Sequence, residues 1–179
     1  MKNFPIEIDG KEYWISRAIA VVGFVFCLMD KQLYVLANKR GKGTPDFQGY
    51  WNCPCGYLDY DETTKQACSR ETAEETNLYV NPDSWVLFGI DDNPKSNRQN
   101  VTFSYYTFSD RLYKGQTVYA KGAEENEVED VEWIPISKIN EYQWAFNHRK
   151  LISEIVLKRL SNWIVPEIRS QLTEDSKLI

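Results

Sequence analysis

The sequence predicts an α/β protein, a mixed β-sheet flanked by helices. Apolar runs of strand length, rich in Val, Ile and Phe, stand before and after a stretch of helical spacing, and a second helical stretch lies near the end of the chain. Hydrophobic residues make up 42% and charged residues 26% of the 179 positions, which is ordinary globular composition. We expect a single domain over 1–179, with its core over about 18–165 and a C-terminal tail over 166–179.

Short apolar runs bounded by turn residues predict the strands. They lie over 18–29, 33–37, 84–90, 101–108 and 131–134. The first two are separated by three residues that can turn, so they predict a hairpin. Three glycines and a proline between 38 and 50 predict a loop after this hairpin.

Helical spacing predicts one helix over 63–76 and a second over 145–165. Thr63 and Gln66 have the spacing of a capping box at the start of the first helix. Pro166 is expected to end the second helix, because proline cannot continue one. These helices would flank the sheet.

Charge and cysteine content limit the function classes. A net charge of −5 argues against general nucleic-acid binding, which needs a basic surface. The run 18–29 is shorter than the roughly 20 apolar residues of a membrane helix, and the first residues lack the pattern of a signal peptide. A chain of this length does not need disulfides, so the four cysteines predict reduced thiols. We expect a cytoplasmic protein without a nucleic-acid or membrane partner.

Three glutamates share one face of the 63–76 helix. Glu74 and Glu75 lie about 60° and 40° to either side of Glu71. Ala67, Cys68 and Leu78 fall in the same arc, whereas Lys65, Ser69, Thr72 and Thr76 lie on the opposite side. We therefore expect the carboxylates to point into the domain, although a solvated acidic face is the alternative. Repelling, desolvated carboxylates favour a bound cation, and oxygen ligands without histidine favour Mg²⁺ or Mn²⁺ over Zn²⁺.

The stretch from Gly56 to Leu78 resembles the Nudix box: Gly, five residues, Glu, seven residues, then Arg-Glu-apolar-any-Glu-Glu-any-Gly-apolar. The matching positions are Gly56, Glu62, Arg70, Glu71, Glu74, Glu75 and Leu78. Thr72 departs at an apolar position, and Asn77 replaces the closing glycine, where Asn is the next-best residue for a left-handed cap. The resemblance implies the Nudix α/β/α sandwich and the hydrolysis of a nucleoside diphosphate linked to another moiety.

Roles follow from the resemblance by position. It implies that the metal ligands are Glu71, Glu74, Glu75 and the carbonyl of Gly56. It also implies that Arg70 holds the glutamates in place and that Glu62 supports this network. The cations are expected to polarise the diphosphate and to activate a water, and a carboxylate must take the proton of that water.

In this family the base is either the glutamate that matches Glu71 or a glutamate on a later loop. Glu127 is the candidate on that loop, because it lies five residues before Glu132. Glu125 and Glu129 are close competitors. Most of the acidic residues in this segment are expected to be solvated, and at most one or two are expected to contact the metal. These acidic residues are Glu124, Glu125, Glu127, Glu129, Asp130 and Glu132.

Substrate-binding residues are only weakly marked. The candidate cations for the diphosphate are Arg40, Lys39 and Lys42, for which a solvated loop is the alternative, and Arg17 and Arg98 are weaker candidates. Aromatic walls for a ring are Phe47, Tyr50, Trp51, Tyr105 and Tyr106, for each of which core packing is the alternative. ADP-ribose pyrophosphatases resemble one another in a proline about sixteen residues after the box, where Pro94 stands. The resemblance thus favours ADP-ribose or a nucleotide sugar.

Two alternatives stay open. Isopentenyl-diphosphate isomerases share the Nudix fold and place a catalytic cysteine where Cys55 stands, but a histidine follows their glycine, where this chain has Tyr57. We expect Cys53 and Cys55 to fill a tight turn instead. A non-catalytic nucleotide-sensing module is the second alternative. His148, the sole histidine, is expected to pack or cap near its helix, and a homodimer is compatible with the family.

Overall fold

The computed structural model describes residues 3–109 and 126–175. The strands within these ranges are β1 (Phe4–Ile8), β2 (Lys11–Ile15), β3 (Ala18–Met29), β4 (Gln32–Arg40), β5 (Trp51–Asn52), β6 (Cys55–Tyr57), β7 (Val86–Asp91), β8 (Asn100–Ser109) and β9 (Val128–Pro135). The α-helices are α1 (Thr64–Thr76), α2 (His148–Arg159) and α3 (Pro166–Asp175), and short 3-10 turns lie at Pro82–Ser84, Ile136–Glu141 and Ser161–Trp163. No helix in this part of the chain is both long and apolar enough to span a membrane.

Seven of the strands form one mixed sheet. The order is β5-β4-β3-β8-β7, with β6 added to β3 and β9 added to β4. Strands β3 and β8 run parallel, while the other pairs in the sheet are antiparallel. The remaining two strands, β1 and β2, pair only with each other as an N-terminal hairpin. The predicted class, a mixed sheet with helices, is confirmed.

The predicted strands are present, several with longer bounds than predicted. Strand β3 has the predicted limits, whereas β4 continues to Arg40 into the predicted loop. It does so because β5 and β9 pair with its second half. The sequence analysis did not predict β1, β2, β5 or β6. The last two have two and three residues, too few to give a recognisable pattern.

The prediction of one continuous helix over 145–165 that ends at Pro166 is wrong. Helix α2 ends at Arg159, a 3-10 turn follows, and Pro166 begins α3 rather than ending a helix. Proline is compatible with the first turn of a helix, where its missing N–H has no intrahelical partner. Leu172 of α3 is completely buried in the core, so residues 166–175 belong to the packed structure.

The sheet has an apolar core on each face. The core under α2 and α3 includes Phe24, Phe26 and Ile155, all completely buried. The core under α1 includes Leu36 and Trp85. Helices therefore cover both faces, and the glutamate-bearing helix lies on the face opposite to α2.

Candidate active site

Local signals fix the limits of α1. Thr63 is its N-cap, its hydroxyl accepts from the Gln66 amide, and the Gln66 side chain accepts from the Thr63 amide at 2.8 Å. The predicted capping box is thus confirmed. At the other end Asn77 adopts a left-handed backbone with φ of 59°, as predicted for a residue in place of glycine. The glutamates therefore lie on a helix whose first and last residues are fixed by local signals.

The predicted orientation of α1 is wrong in part. Its side facing the sheet includes Ser69, Thr72 and Thr76, which the sequence analysis placed opposite to the domain. Burial is tolerated because the hydroxyls are bonded: Thr72 donates to the Cys68 carbonyl at 2.7 Å, and Ser69 accepts from Trp85 Nε1 at 2.9 Å. The glutamates lie along the flank of this side rather than at its centre.

Arg70 connects the carboxylates of the box. Its Nη1 donates to Glu71 at 2.7 Å and to Glu74 at 3.0 Å, and its Nη2 donates to Glu62 at 2.7 Å and to the Tyr57 carbonyl at 2.9 Å. The bonds from Arg70 lower the pKa of Glu62 below its usual value. One guanidinium thus fixes three carboxylates and joins the helix to β6.

The carboxyl groups of Glu71 and Glu75 are largely buried. The Glu75 residue is only 5% exposed, and its Oε2 accepts from the Cys55 amide at 3.2 Å. Desolvation, followed by repulsion from Glu71 and Glu127, raises its pKa well above the usual value. Desolvation also raises the pKa of Glu71 to about 6, although Arg70 opposes this shift. Arg70 offsets the charge of Glu71 only in part, and Arg40 and the Cys55 amide offset that of Glu75 only in part.

Gly56 packs directly on Glu71. A Cβ added at this glycine would overlap the carboxyl group of Glu71. The glycine of the box is therefore required for the close approach of β6 to the glutamates. Strand β6 itself is held by antiparallel pairing of Gly56 with Val21 of β3.

Glu127 lies close enough to act on both buried glutamates, since its charge contributes to their raised pKa values. Its carbonyl accepts from the Gly41 amide at 2.7 Å, which ties this segment to the loop after β4. Glu129, in contrast, forms an ion pair with Lys39 at 2.8 Å. Glu124 and Glu125 lie outside the described residues. Among the later-loop candidates that are described, the geometry favours Glu127 over Glu129.

The donor set fits a hard divalent cation. Within residues 3–109 and 126–175, no three acidic, cysteine or histidine side chains converge as a metal cluster. Glu71 and Glu74 instead share the Nη1 of Arg70. The excess negative charge around Glu71, Glu75 and Glu127, together with oxygen-only donors, is the chemistry that Mg²⁺ and Mn²⁺ prefer.

The match to known families covers most of the chain. A NUDIX domain profile matches residues 17–155. The chain belongs to the Nudix family. With every charged position of the Nudix box present on α1 and before it, the chain is a Nudix pyrophosphohydrolase.

Individual Nudix proteins resemble this one over most of its length. An ADP-ribose pyrophosphatase of Methanocaldococcus jannaschii is 29% identical over an alignment of 168 residues, which covers 86% of this chain and 90% of the relative. The NUDIX domain of Shewanella oneidensis NrtR, solved with ADP ribose, has a TM-score of 0.67 at 27% identity, over 82% of this chain and 90% of that one.

A third solved structure shares the fold. It is a bifunctional NMN adenylyltransferase/ADP ribose pyrophosphatase of Francisella tularensis, complexed with AMP and a manganese ion. Its TM-score is 0.64 at 22% identity, and the match covers 83% of this chain and 42% of that one.

The positively charged candidates for substrate binding, Arg40 and Lys42, lie at the end of β4 and in the loop that follows it. Arg40 donates to Asp46 at 2.6 Å, its guanidinium lies 5.1 Å from the centre of the Phe146 ring, and its charge acts on Glu75. It is therefore near the buried glutamates but already paired. Lys42 is exposed in the following loop. Their role in binding substrate stays a prediction.

Trp51 and Pro94 are the other two candidates for substrate binding, and one is buried while the other is exposed. Trp51 is 9% exposed and packs edge-to-face on Tyr142 in the core under α2, opposite to the glutamates. This placement favours core packing, the alternative given for Trp51, and its role as a substrate wall stays a prediction. Pro94 is exposed in the turn between β7 and β8, which Arg17 holds by donating to the carbonyls of Asp92 and Asn97.

The Cys53–Gly56 turn connects the sheet to the Nudix box. All four cysteines are free, and burial followed by the charge of Glu75 raises the pKa of the Cys55 thiol far above its usual value. A protonated thiol disfavours the isomerase alternative, which needs a reactive cysteine. The sequence analysis missed the partners of this turn, Asn52 and His148. Asn52 carries no recognisable signal, and His148 was marked only by being the sole histidine.

Proposed function

We propose that this protein is a divalent-metal-dependent hydrolase that cleaves the diphosphate linkage of a nucleoside diphosphate joined to another moiety, with ADP-ribose or a nucleotide sugar as substrate. The observation that supports this proposal is the buried charge of Glu71 and Glu75 beside Gly56, which nearby arginines offset only in part and to which Glu127 adds. Such charge favours a bound cation.

Each group of site residues has a separate role in this proposal. Glu71, Glu74, Glu75 and the carbonyl of Gly56 would hold Mg²⁺ or Mn²⁺, which when bound neutralises the diphosphate and acidifies water. Arg70 keeps Glu71 and Glu74 in register, and Glu62 fixes Arg70 from the other side. Glu127 or Glu71 takes the proton of the attacking water, and Arg40 attracts the diphosphate.

Two relatives support the substrate class. One is named an ADP-ribose pyrophosphatase, and another binds ADP ribose in its solved structure. The second of these also supports an alternative, because NrtR of Shewanella oneidensis has been solved with a 27mer DNA. A nucleotide-sensing module that binds ADP-ribose without cleaving it is thus the competing function.

Incubation with a nucleotide panel and Mg²⁺ or Mn²⁺ distinguishes the two. The panel contains ADP-ribose, nucleotide sugars, NADH, diadenosine polyphosphates and nucleoside triphosphates. For ADP-ribose, water adds to one phosphorus, the P–O–P bond breaks, and AMP and ribose 5-phosphate appear. We expect these products, with no turnover in excess EDTA. Tight binding with the ligand recovered intact would identify a sensor instead.

Glu75→Gln tests the metal role of the buried glutamate. We expect turnover to fall at least about a hundredfold, because a neutral amide binds a hard cation poorly, while the melting temperature is kept or raised as repulsion is relieved. Glu154→Gln is the control, since Glu154 is a partly exposed glutamate on α2, away from the box, and its ion pair is with Lys158. If Glu75→Gln unfolds the protein and metal has no effect on the wild type, the glutamates are structural.

We also propose a homodimer and a cytoplasmic location. Support for the dimer is the hairpin of β1 and β2, whose apolar side chains include the exposed Phe4, Ile8 and Ile15. The four free, unpaired thiols support a reducing compartment.

A further inference from the structure

The Cys53–Gly56 turn is held from several directions. Asn52 Nδ2 donates to the Cys53 carbonyl at 3.0 Å, and the Gly23 amide donates to the Pro54 carbonyl at 2.9 Å. On the other side of the turn, the Cys55 amide donates to Glu75, and Gly56 packs on Glu71. A displacement of this turn would therefore move the partners of both buried glutamates.

The remaining anchor of the turn is the side chain of His148. The amide of Cys53 donates to His148 Nδ1 at 3.1 Å. Cys53 is completely buried, so this amide has no access to water. An Nδ1 that accepts requires the neutral ring with its proton on Nε2, and burial, aided by the charge of Arg40, keeps the ring neutral by lowering its pKa to about 3.

His148 is itself rigidly placed. It is the first residue of α2 and is 5% exposed. Its ring packs edge-to-face on Phe24 with 5.7 Å between ring centres, and it lies 5.3 Å from the ring of Phe146. The ring thus joins α2 to a turn whose next residues contact the glutamates of α1 on the other face of the sheet.

We propose that His148 is a positioning residue of the metal-binding site: by accepting the Cys53 amide, it fixes the turn that sets the Cys55 amide against Glu75 and Gly56 against Glu71. This inference rests on the proposed function, since it assigns His148 to the same cation site. His148 contacts neither the cation nor the substrate, and it acts only through the main chain of the turn. Partners bonded directly to a metal ligand commonly change metal affinity or activity by about 10–100-fold when removed, and His148, one bond further away, should act at the lower end of this range.

The experiment compares His148→Leu, which has no acceptor, with His148→Gln, whose side-chain carbonyl can accept. Mn²⁺ affinity is measured without nucleotide, from the electron paramagnetic resonance signal of free Mn²⁺, alongside kcat and KM for the substrate found in the panel. We expect His148→Leu to bind Mn²⁺ at least about tenfold more weakly and to lose kcat more than KM. We expect His148→Gln to stay within about threefold of the wild type. Amide hydrogen exchange in 53–56 should accelerate only in His148→Leu.

Ser153→Ala is the matched control. Ser153 is 2% exposed on the same helix, but its hydroxyl donates only to the Arg149 carbonyl of that helix. It should leave Mn²⁺ affinity unchanged, because the lost hydrogen bond lies within α2. Equal loss of affinity in Ser153→Ala and His148→Leu would overturn the proposal, because general loosening of α2 would then explain both.

The remaining outcomes separate the inference from the proposed function. A wild type that binds Mn²⁺ together with a folded His148→Leu that binds it equally well overturns the inference alone. A wild type that neither binds Mn²⁺ nor hydrolyses any nucleotide overturns the proposed function and this inference with it. If His148→Leu does not fold, His148→Met takes its place, since methionine can fill the space while its sulfur accepts only weakly.

Discussion

Gly56 shows how much depends on the absence of one side chain. The carboxyl group of Glu71 occupies the space where a Cβ would stand. We expect Gly56→Ala to displace Glu71 or β6 and to lower turnover at least about tenfold, because a displacement of 1 Å at a reacting site is sufficient for large losses. Activity assays with Mg²⁺ measure this effect.

Gly89→Ala is the matched control for that substitution. Gly89 also lies in a strand, but a Cβ there would meet open space. Its turnover should remain near that of the wild type. Equal activities for the two alanine variants would contradict a tight fit between Gly56 and Glu71.

His148 should also make stability depend on pH. Its pKa is about 3 in the folded protein and near 6.5 when unfolded, so between these values the unfolded chain binds the additional proton. Lowering the pH therefore favours unfolding, and between pH 7 and 5 the histidine alone should remove about 2 kcal/mol of the free energy of unfolding.

Urea denaturation of the wild type and His148→Gln at both pH values measures this contribution. The carboxylates titrate in both proteins, so the difference between the two isolates the imidazole. The wild type should lose about 2 kcal/mol more than the variant on going from pH 7 to 5. Parallel pH dependence of the two proteins would contradict a buried neutral ring.

At the scale of elements, α1 and the C-terminal helices show where periodicity is insufficient. The predicted angles between the glutamates were correct. The side of α1 that packs on the sheet is the neighbouring one, which includes Ser69, Thr72 and Thr76. Hydropathy ranks threonine and serine as surface residues, and only internal hydrogen bonds make their burial inexpensive in free energy. Likewise, continuous helical spacing over 145–165 concealed the break between α2 and α3.

Leu172 tests whether α3 is part of the core. Leu172→Ala should lower the free energy of unfolding by about 2–5 kcal/mol, because it empties a completely buried site. Glu174→Ala, at an exposed position two residues further, should change it by less than about 0.5 kcal/mol. Thermal and urea unfolding measure both variants. A loss near zero for Leu172→Ala would mean that residues 166–175 behave as the predicted tail.

At the scale of the whole molecule, the hairpin of β1 and β2 is the part least covered by the rest. Phe4 faces Ile15 and Ile6 faces Tyr13 across the hairpin, which gives it one apolar side. A two-stranded hairpin with an exposed apolar side has marginal stability in water. A second copy of the chain that covers this side would stabilise it.

Ile8→Glu tests this dimer. Size-exclusion chromatography with light scattering should give twice the chain mass of 21.0 kDa for the wild type and a monomer for the variant, because a buried charge opposes association. Val165→Glu is the control, since Val165 is equally exposed but lies outside the hairpin, before α3. A monomeric wild type would overturn the dimer.

The sequence by itself determined the family, the central hairpin of β3 and β4 and the limits of α1, while the roles of the charged site residues stay predictions. These follow from local spacing: the capping box and the left-handed Asn77 fix the helix, and the helix fixes which glutamates stand together. Only the tertiary structure brings the charge of Glu127 near the buried glutamates, whereas Glu129 pairs with Lys39. It also decided that Trp51 is core and that His148 reaches Cys53. The physical reason is that these contacts join residues far apart in the chain, whose distances depend on how the sheet pairs and which face each helix covers.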